Sequence, residues 1–521
     1  MGCGSIENIP KKNNIPKIKQ NIKPKIQELY TDKTFPPVNV SIFGIETLEK
    51  LRKGKKIPYN KYYKKLITDF EQKQITWKRA KDIFQDQGYT LFSENISLNS
   101  FIQGSIGNCY FLTVMTSLIK YPSLIYQLFN SLYISNNNYY EIKAKIDNKI
   151  STISLDDYFP YNLRKNKPIF CKPYKNEIWV MLLEKAWAKI KGSYFNMDNG
   201  APIHVLNTFL LSLDTKHDIS YKFHSLKNDK EKYNIWNIII DKIKNKNIFM
   251  ICLSKENLKD KKKLNNFCYS IVEKHFYNII EIYENESGTK KLLKIRNPWG
   301  FNLKNDNYKS NHNRFIFDEN DDNIREKEND INSLEDGEFI IDFNYFWYLF
   351  EEVQIYQIKK FNFNLIFNLK DEPNEIKIIY LKIKDIQLKE FLKLKVLLEE
   401  KIPSIEKKSI NFKILIIEKE NMEILKKIVY KINFNNQEIE LPLILEPNIS
   451  NNYYLCLELS SNLNKNNNMK INAIFQSENY IEMINYNHYF DDLRLFDIIK
   501  KDFEGSKFDI NTFKFKENIF S

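Results

Sequence analysis

One cysteine follows a glycine-containing turn in the segment Gln103-Gly104-Ser105-Ile106-Gly107-Asn108-Cys109. Apolar residues then recur at helical spacing, which predicts a half-buried helix that begins at Cys109 with Asn108 as its N-cap. The dipole of such a helix lowers the pKa of a thiol in its first turn, and the thiolate is the nucleophilic form of cysteine. Gln103 lies across the turn, where its amide can donate to an oxyanion. Cys109 is therefore a candidate nucleophile, although a buried helical cysteine without chemistry is the commoner case.

A cysteine nucleophile needs an imidazole to accept its proton and a further acceptor to orient that imidazole. Of the six histidines in the chain, His275 lies in the first strand of a predicted hairpin, and Asn297 closes the second strand. The segments 276–283 and 291–296 alternate like strands on either side of the turn-forming residues 284–288. Antiparallel pairing would bring His275 and Asn297 together. Taken singly, they would be an ordinary strand residue and a turn opener, but together they supply the partners that Cys109 needs.

Three segments around these residues resemble the protease core of the calpain family. They are Gln103 to Cys109 with its helix, the predicted helix that contains 182–189 (LLEKAWAK), and 295–300 (IRNPWG). Weaker similarity occurs at 77–79 (WKR), around His275, and at 336–339 (DGEF). The resemblance spans residues 77–360 in the family's order. It implies an α+β fold with a papain-like core of two lobes, 77–204 with Cys109 and 205–360 with His275 and Asn297.

The resemblance also implies roles for residues near the nucleophile. Gln103 would lie in the oxyanion hole, and Trp299 would shield the histidine and asparagine from water. Asn108 and Tyr110 stand where the family usually has Asp and Trp, and neither replacement removes a reacting group.

The histidine motif can be aligned in two ways. Aligning 267–270 (FCYS) with the family's motif would put Phe267 in the histidine position and would predict an inactive enzyme. Aligning His275 keeps the histidine and gives a hairpin of ordinary length. We therefore prefer His275.

Calcium is the cofactor that the resemblance implies. Calpain cores bind Ca²⁺ through carboxylates and carbonyls in each lobe, and Glu184, Asp336 and Glu338 match positions that the family uses. Ser100 replaces an expected acidic residue, and 301–304 (FNLK) replaces the acidic residues expected after Trp-Gly. Because Ca²⁺ prefers six to eight oxygen ligands, each missing carboxylate weakens a site. The sequence contains no EF-hand loop, so family members with a penta-EF-hand domain are not the model for this chain.

The remaining regions are divided by composition. Residues 1–35 are rich in lysine and contain three prolines, which predicts a flexible basic arm. Residues 36–76 are a lead-in segment. In 361–521, short apolar runs such as 375–384, 411–417, 439–445 and 453–459 are separated by turn residues, which predicts an all-β sandwich. The resemblance implies a calpain β-sandwich or a C2-like domain here, able to bind phospholipid or to dock on the protease.

The chain begins Met1-Gly2-Cys3-Gly4-Ser5. A glycine exposed by removal of the methionine can be myristoylated, a neighbouring cysteine can be palmitoylated, and the lysines of the arm attract anionic lipid. Gly2 and Cys3 are thus candidate lipidation sites on a membrane-facing arm. Against this, Ile6 occupies the position where the acceptor pattern has Ser or Thr.

Composition excludes several classes of protein. The net charge is +13, but the lysines are dispersed and no nucleic-acid motif accompanies them, so we expect no nucleic-acid partner. The six cysteines are widely spaced, which argues for a reducing compartment and against a disulfide framework. We find no transmembrane run and no signal peptide. A cytoplasmic protein is expected, attached to the inner face of a membrane if the arm is acylated.

These observations predict a calpain-like intracellular cysteine endopeptidase that cleaves protein substrates, with calcium as a regulator. The first alternative is a catalytically silent, membrane-tethered protein that keeps the fold for binding. The second is acyl transfer of the transglutaminase type, which is disfavoured because those enzymes use Asp where this chain has Asn297.

Overall fold

The structure is a computed structural model of the 521-residue chain. It describes residues 28–55, 61–93, 96–97, 101–173, 176–211, 218–222, 229–243, 248–258, 271–284, 288, 290–300, 315–316, 334, 337–358 and the strands between 361 and 515. Helices and strands both contribute, as expected for an α+β protein.

The described helices all lie before residue 350. They are α1 (Asn39–Phe43), α2 (Ile45–Arg52), α3 (Lys61–Glu71), α4 (Ala80–Phe84), α5 (Cys109–Leu118), α6 (Pro122–Tyr126), α7 (Trp179–Lys191), α8 (Pro202–Phe209), α9 (Asp229–Ile243) and α10 (Phe343–Leu349), with 3₁₀ turns at Gln85–Gln87 and Phe195–Met197.

The strands up to residue 357 form several sheets. They are β1 (Ile75–Arg79), β2 (Phe101–Ile102), β3 (Tyr140–Ile146), β4 (Lys149–Leu155), β5 (Tyr158–Asn162), β6 (Lys167–Pro168), β7 (Lys172–Pro173), β8 (Asp218–Lys222), β9 (Ile248–Ser254), β10 (Phe276–Glu284), β11 (Lys291–Arg296), β12 (Phe315–Ile316), β13 (Glu338–Asp342) and β14 (Phe350–Gln357).

The largest of these sheets has seven strands in the order β12-β13-β11-β10-β9-β14-β8. Its centre is the predicted hairpin, in which β10 and β11 pair antiparallel with Asn278 opposite Arg296. The first half of the core has smaller sheets, β1-β5-β6, β2-β7 and β3-β4. The hairpin is therefore an internal part of a larger sheet, with β9 and β13 bonded to its outer edges.

Helices α5 and α7 form because their sequences are apolar over several turns. All ten residues of α5 are buried. Helix α7 ends where Gly192 adopts a left-handed backbone with φ +86°, after Lys189 and Lys191 in its last turn. Both helices contribute to one large apolar cluster that extends from Phe35 to Leu211 and includes residues of β9 and β14. A second cluster lies on the seven-stranded sheet with α9 and α10.

The predicted arm is too long at its C-terminal end. Asp32 and Phe35 are 1% and 3% exposed. The backbone N–H of Asp32 donates to Asp156 Oδ2 over 2.7 Å, and Lys189 Nζ lies 2.6 Å from Asp32 Oδ2. Residues 30–35 are thus bound into the core by charges that lie far away in the sequence, which composition could not indicate.

The predicted domain boundaries at 76/77 and 204/205 also do not coincide with the limits of the apolar cluster that contains α5. Ile42 and Phe43 of α1 and Ile67 of α3 belong to the same apolar cluster as α5. The boundary at 204/205 falls inside α8, whose later residues Val205 and Phe209 pack in that cluster as well. The lead-in segment and all of α8 therefore pack with the first half of the core.

Beyond residue 360 the described structure is made of strands. They are β15 (Phe361–Leu369), β16 (Asn374–Ile383), β17 (Glu390–Leu398), β18 (Ser409–Glu418), β19 (Ile424–Asn433), β20 (Glu438–Leu445), β21 (Asn452–Ser461), β22 (Met469–Ser477), β23 (Ile481–Asn485), β24 (Tyr489–Phe490) and β25 (Lys514–Phe515). Two antiparallel sheets have the orders β15-β22-β17-β20 and β19-β18-β21-β16-β23.

The four apolar runs named from the sequence coincide with β16, β18, β20 and β21. In β18 and β21, residues 414–417 and 453–457 are buried without interruption. Because successive strand residues point to opposite faces, the centre of this sheet is covered on both sides. That burial agrees with the long apolar runs of the sequence, and the packing of the two sheets as a sandwich stays a prediction.

Candidate active site

Cys109 is the first residue of α5, as predicted, but Asn108 does not act as its side-chain cap. The Asn108 amide instead donates to Glu184 Oε1 of α7 over 2.7 Å. Two glycines shape the turn that precedes the helix. A Cβ at Gly104 would overlap with the backbone of Phe170, and one at Gly107 would overlap with the Asp198 carboxylate. The turn thus needs glycine for close approach rather than for an unusual φ.

The Cys109 side chain is 8% exposed, and the backbone N–H of Phe276 is near enough to lower the pKa of its thiol. Burial raises the pKa of Cys109 to about 11, the N–H groups of Phe276 and Tyr110 lower it, and the nearby charge of Asp198 raises it. The expectation of a depressed pKa is therefore wrong for this arrangement. Desolvation of the thiolate outweighs the favourable helix terminus, so the thiol needs a base to accept its proton.

His275 lies immediately before β10, so the strand that was predicted to contain His275 begins one residue after it. Its Nε2 is 3.0 Å from Asn297 Oδ1, and the two residues are 22 positions apart. Burial lowers the pKa of His275 to about 4, against a smaller raising effect of the Asn297 hydrogen bond. The imidazole is consequently neutral near pH 7 and able to accept a proton. The backbone N–H of its neighbour Phe276 is one of the groups that lower the pKa of Cys109.

Asn297 follows β11 and is fully buried. Its backbone N–H donates to the carbonyl of Gly337 over 2.9 Å. Its side-chain Oδ1 accepts the backbone N–H of Trp299 over 3.0 Å in addition to facing His275. These contacts fix the oxygen of the amide toward the imidazole. The Trp299 ring lies over His275 with ring centroids 5.0 Å apart, so the structure brings these three residues together.

Gln103 is buried at the glycine turn. Its Nε2 donates to the carbonyl of Ile106 over 2.7 Å, so one amide hydrogen is used within the turn and a second remains for an oxyanion. Its Oε1 has no hydrogen-bond partner among the described residues. The backbone N–H of Gln103 reaches the carbonyl of Pro298 at 3.4 Å. Gln103 therefore lies beside the turn that follows Asn297.

The segment that positions His275 contains residues that the sequence analysis missed. Ser254 Oγ, at the end of β9, accepts the backbone N–H of His275 over 2.9 Å and donates to the carbonyl of Val272 over 2.6 Å. The preceding residue, Lys274, has φ +50°, in the left-handed region. The Tyr277 ring packs edge-on against His275 with centroids 4.9 Å apart. The only sequence signal for Ser254 is a polar residue that closes an apolar strand.

Tyr110 gives helix α5 a second set of contacts. Its hydroxyl accepts from Trp187 Nε1 over 3.0 Å and donates to the carbonyl of Met197 over 2.8 Å. Asp198, the next residue, accepts the backbone N–H of Gly107 over 2.9 Å. The tyrosine hydroxyl thereby ties the loop at 197–198 to both α5 and α7.

The residues that match calcium positions lie in separate polar networks. Glu184 is 2% exposed and accepts from Asn108 and from the backbone N–H of Cys171. Burial raises the pKa of Glu184 to about 7, while these hydrogen bonds lower it. Glu338 lies 3.2 Å from Lys294 and 3.7 Å from Arg296. Asp336 and Ser100 lie outside the described residues.

Among the described residues, no group of three or more His, Cys, Asp or Glu side chains is arranged to hold a metal ion. Glu184 and Glu338 are each bonded to protein donors, so these side chains do not form an assembled calcium site. Calcium dependence therefore stays a prediction, and no chemical step is assigned to the metal.

Other predicted residues fall outside the described ranges. They include Gly2, Cys3 and the alternative histidine-motif segment 267–270. The four cysteines that are described, Cys109, Cys171, Cys252 and Cys456, are all free thiols. None of the described helices has the length and apolar character needed to cross a bilayer.

Comparison with known proteins adds independent information. A family model described as "Calpain family cysteine protease" matches residues 30–357, more than half of the chain. The chain is 26% identical over 275 residues to the calpain-type cysteine protease DEK1 of Zea mays, which covers 52% of this chain and 11% of that protein. It is 24% identical over 299 residues to calpain clp-4 of Caenorhabditis elegans, and that match covers 54% of this chain and 38% of clp-4.

A third relative, calpain-12 of Mus musculus, is 26% identical over 257 residues, with 46% of this chain and 32% of that protein covered. The matched region thus spans well under half the length of each of these relatives. Among solved structures, a clostridial cysteine protease, Cwp84, is similar at a TM-score of 0.14 and 9% identity over 53% of this chain and 60% of that one. A score of that size carries no argument about the fold.

Proposed function

Since this chain belongs to the calpain family of cysteine proteases, we propose that it is a cysteine endopeptidase that cleaves protein substrates. Cys109 is the nucleophile, His275 is the general base and acid, and Asn297 orients the imidazole. The observation that carries this proposal is the 3.0 Å contact between His275 Nε2 and Asn297 Oδ1, on a strand segment whose Phe276 N–H is near enough to lower the pKa of Cys109. The base thus lies immediately before a strand that packs against α5, the described helix that begins with Cys109.

The reaction begins with a neutral thiol and a neutral imidazole. The Cys109 proton passes to His275 Nδ1, the ring nitrogen not bonded to Asn297, as the sulfur attacks the peptide carbonyl. The resulting oxyanion is stabilised by the Gln103 amide and the backbone N–H of Cys109. His275 then gives the proton to the leaving amine, which breaks the C–N bond and leaves a thioester. Water attacks the thioester with His275 as base, which releases the acid and restores the thiol.

The pKa values of Cys109 and His275 indicate which protonation states the two side chains have before the reaction. The pKa of Cys109 is raised to about 11 and that of His275 is lowered to about 4, both mainly by burial. In this arrangement the neutral pair is favoured over the thiolate–imidazolium pair. Trp299 keeps water from the His275–Asn297 contact, which preserves that hydrogen bond during the proton transfers.

Further parts of the proposal concern architecture and regulation. We propose that the core has the two-lobed papain-like arrangement and that the C-terminal sheets pack as a β-sandwich. The coverage of both faces at the centre of β18 and β21 supports the latter. Calcium regulation and acylation at Gly2 and Cys3 are proposed from the sequence, with a membrane surface as the partner of an acylated arm.

A second candidate function is a binding protein without catalysis. The observation in its favour is the deep burial of both reacting side chains, with Cys109 8% and His275 4% exposed. A site that stays closed in this way would give neither turnover nor thiol reactivity.

The decisive experiment uses purified full-length protein and fluorescently labelled casein, in CaCl₂ and in EGTA. We expect cleavage by the wild type, loss of cleavage in Cys109→Ser, and retention in the matched control Cys456→Ser, which alters a buried free cysteine in β21. Equal activity in the wild type and Cys109→Ser would exclude the mechanism. Absence of cleavage, with no reaction of Cys109 toward a peptide electrophile in either buffer, would favour the binding protein. The ratio of rates in the two buffers tests calcium dependence.

A further inference from the structure

Asn278 joins the strand of the histidine to the helix of the nucleophile. It lies in β10, close behind His275, and its side chain is 2% exposed. Its Nδ2 donates to the carbonyl of Thr113 over 2.9 Å and to Ser117 Oγ over 2.8 Å. Both acceptors belong to α5, which begins at Cys109. Both hydrogens of one amide group are therefore used to bond a strand to a helix that is remote in sequence.

The contact is directional in an otherwise apolar interface. Helix α5 is buried along its whole length, and apolar packing alone does not fix one element against another at a single position. Hydrogen bonds have narrow distance and angle preferences, so they do fix it. The Oδ1 atom of Asn278 is buried and has no partner among the described residues, which costs stability. A purely structural role would be served better by an apolar side chain.

The position of the contact links it to the reacting groups. Thr113 lies about one helical turn from Cys109, on the order of 6 Å along α5. Asn278 lies three residues from His275, on the order of 10 Å along the strand. Helix α5 packs against β10, and the Phe276 N–H at the start of that strand is near enough to Cys109 to lower the pKa of its thiol. A shift of β10 along α5 would therefore change the distance between sulfur and imidazole directly.

We propose that Asn278 is a positioning residue, whose paired hydrogen bonds to Thr113 and Ser117 hold β10 against α5 and so set the geometry between Cys109 and His275. This inference rests on the proposed protease function. Asn278 touches neither the substrate nor the reacting atoms, and it acts through the relative placement of the two elements.

The first test compares kcat and KM for casein-derived peptide cleavage in the wild type and Asn278→Ala. We expect kcat to fall by about 100-fold with KM nearly unchanged, because a misplacement of about 1 Å at a reacting pair costs a factor of that order. Ser117→Ala removes one acceptor from the opposite side and should lower kcat by less. The double variant should be no slower than Asn278→Ala alone, because both substitutions act on the same contact.

The matched control is Asn162→Ala. Asn162 is also a buried asparagine whose Nδ2 bonds across the core, to Asp69 Oδ2 over 2.9 Å, but it lies in β5 away from α5 and β10. Thermal unfolding is measured for every variant. A loss of stability in Asn162→Ala with normal kcat, beside a loss of kcat in Asn278→Ala, separates positioning from general stability. If Asn278→Ala does not fold, Ser117→Ala decides the question alone.

The second readout is the rate of Cys109 alkylation by iodoacetamide as a function of pH, followed by mass spectrometry of the Cys109 peptide. A thiol that is assisted by an imidazole is alkylated at a lower pH than a thiol without a base. Because Asn278→Ala would displace the imidazole from Cys109, this variant should react about 10-fold more slowly than the wild type near pH 7. A general loss of stability would increase exposure and speed the reaction. The sign of the change therefore distinguishes the two roles.

The outcomes separate this inference from the proposed function. If the wild type cleaves peptides and Asn278→Ala and Ser117→Ala both match its kcat, the inference is wrong and the protease function stands. If the wild type does not cleave but Asn278→Ala slows alkylation of Cys109, the protease function fails and the positioning role stands. If cleavage is absent and alkylation is also unchanged, both are wrong.

Discussion

The Asn108 side-chain amide donates to Glu184 Oε1 over 2.7 Å, which joins the residue before Cys109 to a carboxylate 76 positions further along the chain. Glu184 also accepts the backbone N–H of Cys171 over 3.0 Å. The Glu184 carboxylate thus bonds both to the end of the glycine turn, at Asn108, and to the segment at Cys171. It is nearly fully buried, so its ionisation has consequences for stability.

Replacing Glu184 by Gln should change how stability depends on pH. Burial raises the pKa of Glu184 from 4.5 to about 7 in the folded protein. A raised carboxyl pKa means that the stabilising contribution is complete below pH 4.5 and is lost as pH rises through about 7. Glu184→Gln lacks this loss, so its free energy of unfolding relative to wild type should improve by on the order of 3 kcal/mol between pH 4 and pH 8.

Urea unfolding of both proteins at several pH values measures this difference. Glu49→Gln, a substitution at an exposed glutamate of α2, serves as the control and should show no such trend. Parallel stability curves for the wild type and Glu184→Gln would contradict the prediction.

The acid limb of peptide cleavage should lie below the ordinary histidine range. His275 must be neutral to accept the Cys109 proton, and burial lowers its pKa to about 4. Activity should therefore persist as pH falls through 6.5 and decline only as it approaches 4. The profile of kcat/KM between pH 4 and pH 8 tests this, with protein stability checked at each pH. A midpoint at or above 6.5 would be inconsistent with a buried, neutral imidazole.

Asn297→Asp should move that acid limb to higher pH. The substitution keeps an oxygen 3.0 Å from His275 Nε2 and an acceptor for the backbone N–H of Trp299. It also places a negative charge beside the imidazole, which favours the protonated ring and raises its pKa. The same kcat/KM profile provides the measurement, and Asn162→Asp serves as a control for an added buried charge elsewhere. An unchanged limb would mean that Asn297 does not act on His275.

Ser254→Ala should lower kcat because it removes the acceptor of the His275 backbone N–H and the donor to Val272. We expect a loss of about 1–3 kcal/mol in the free energy of unfolding, since a buried N–H is left unpaired. Ser41→Ala provides a matched control. Its hydroxyl is also in a buried residue and donates to the carbonyl of Pro36 over 2.6 Å, in α1 and away from the site. Both variants should lose stability, and only Ser254→Ala should lose turnover.

Asp32→Ala should destabilise the core although Asp32 lies within the predicted arm. It removes the partner of Lys189, 2.6 Å away, and leaves that ammonium group without its counter-charge. Because Lys189 is partly exposed, we expect a loss smaller than the roughly 3–5 kcal/mol that breaking a fully buried ion pair costs. Thermal and urea unfolding measure the effect, and deletion of residues 1–27 serves as the comparison. A stable Asp32→Ala protein would mean that residues 30–35 do not belong to the folded core.

Much of the local structure could be predicted because it depends on neighbouring residues. The apolar period after Cys109 predicted α5, and 177–190 predicted α7. The hairpin of β10 and β11 followed from alternation on both sides of a turn, and its pairing brings His275 and Asn297 together. The errors were of one or two residues at element ends, where hydrogen bonds to other strands decide the boundary.

Other features could not be predicted because their causes lie far away in the sequence. Asn108 was predicted to cap α5, but its side-chain amide donates instead to Glu184 of α7. Residues 30–35 read as part of a basic arm, and Asp32 is bound by Lys189 and Asp156. Asn278 lies in a segment that was predicted only as a strand, and its contact with Thr113 depends on α5 lying against β10. No local pattern encodes a contact across such separations.

The sequence by itself predicted which residues react, since the order of Cys109, His275 and Asn297 and the segments around them resemble those of a calpain protease core. Only the tertiary structure decided the electrostatic state of those residues. A helix terminus alone would lower the pKa of Cys109, and burial raises it to about 11. Desolvation depends on everything packed around a group, whereas the helix dipole depends on one element. The local sequence therefore names the candidate groups, and the packing around them, including that of α5 against β10, decides their protonation state.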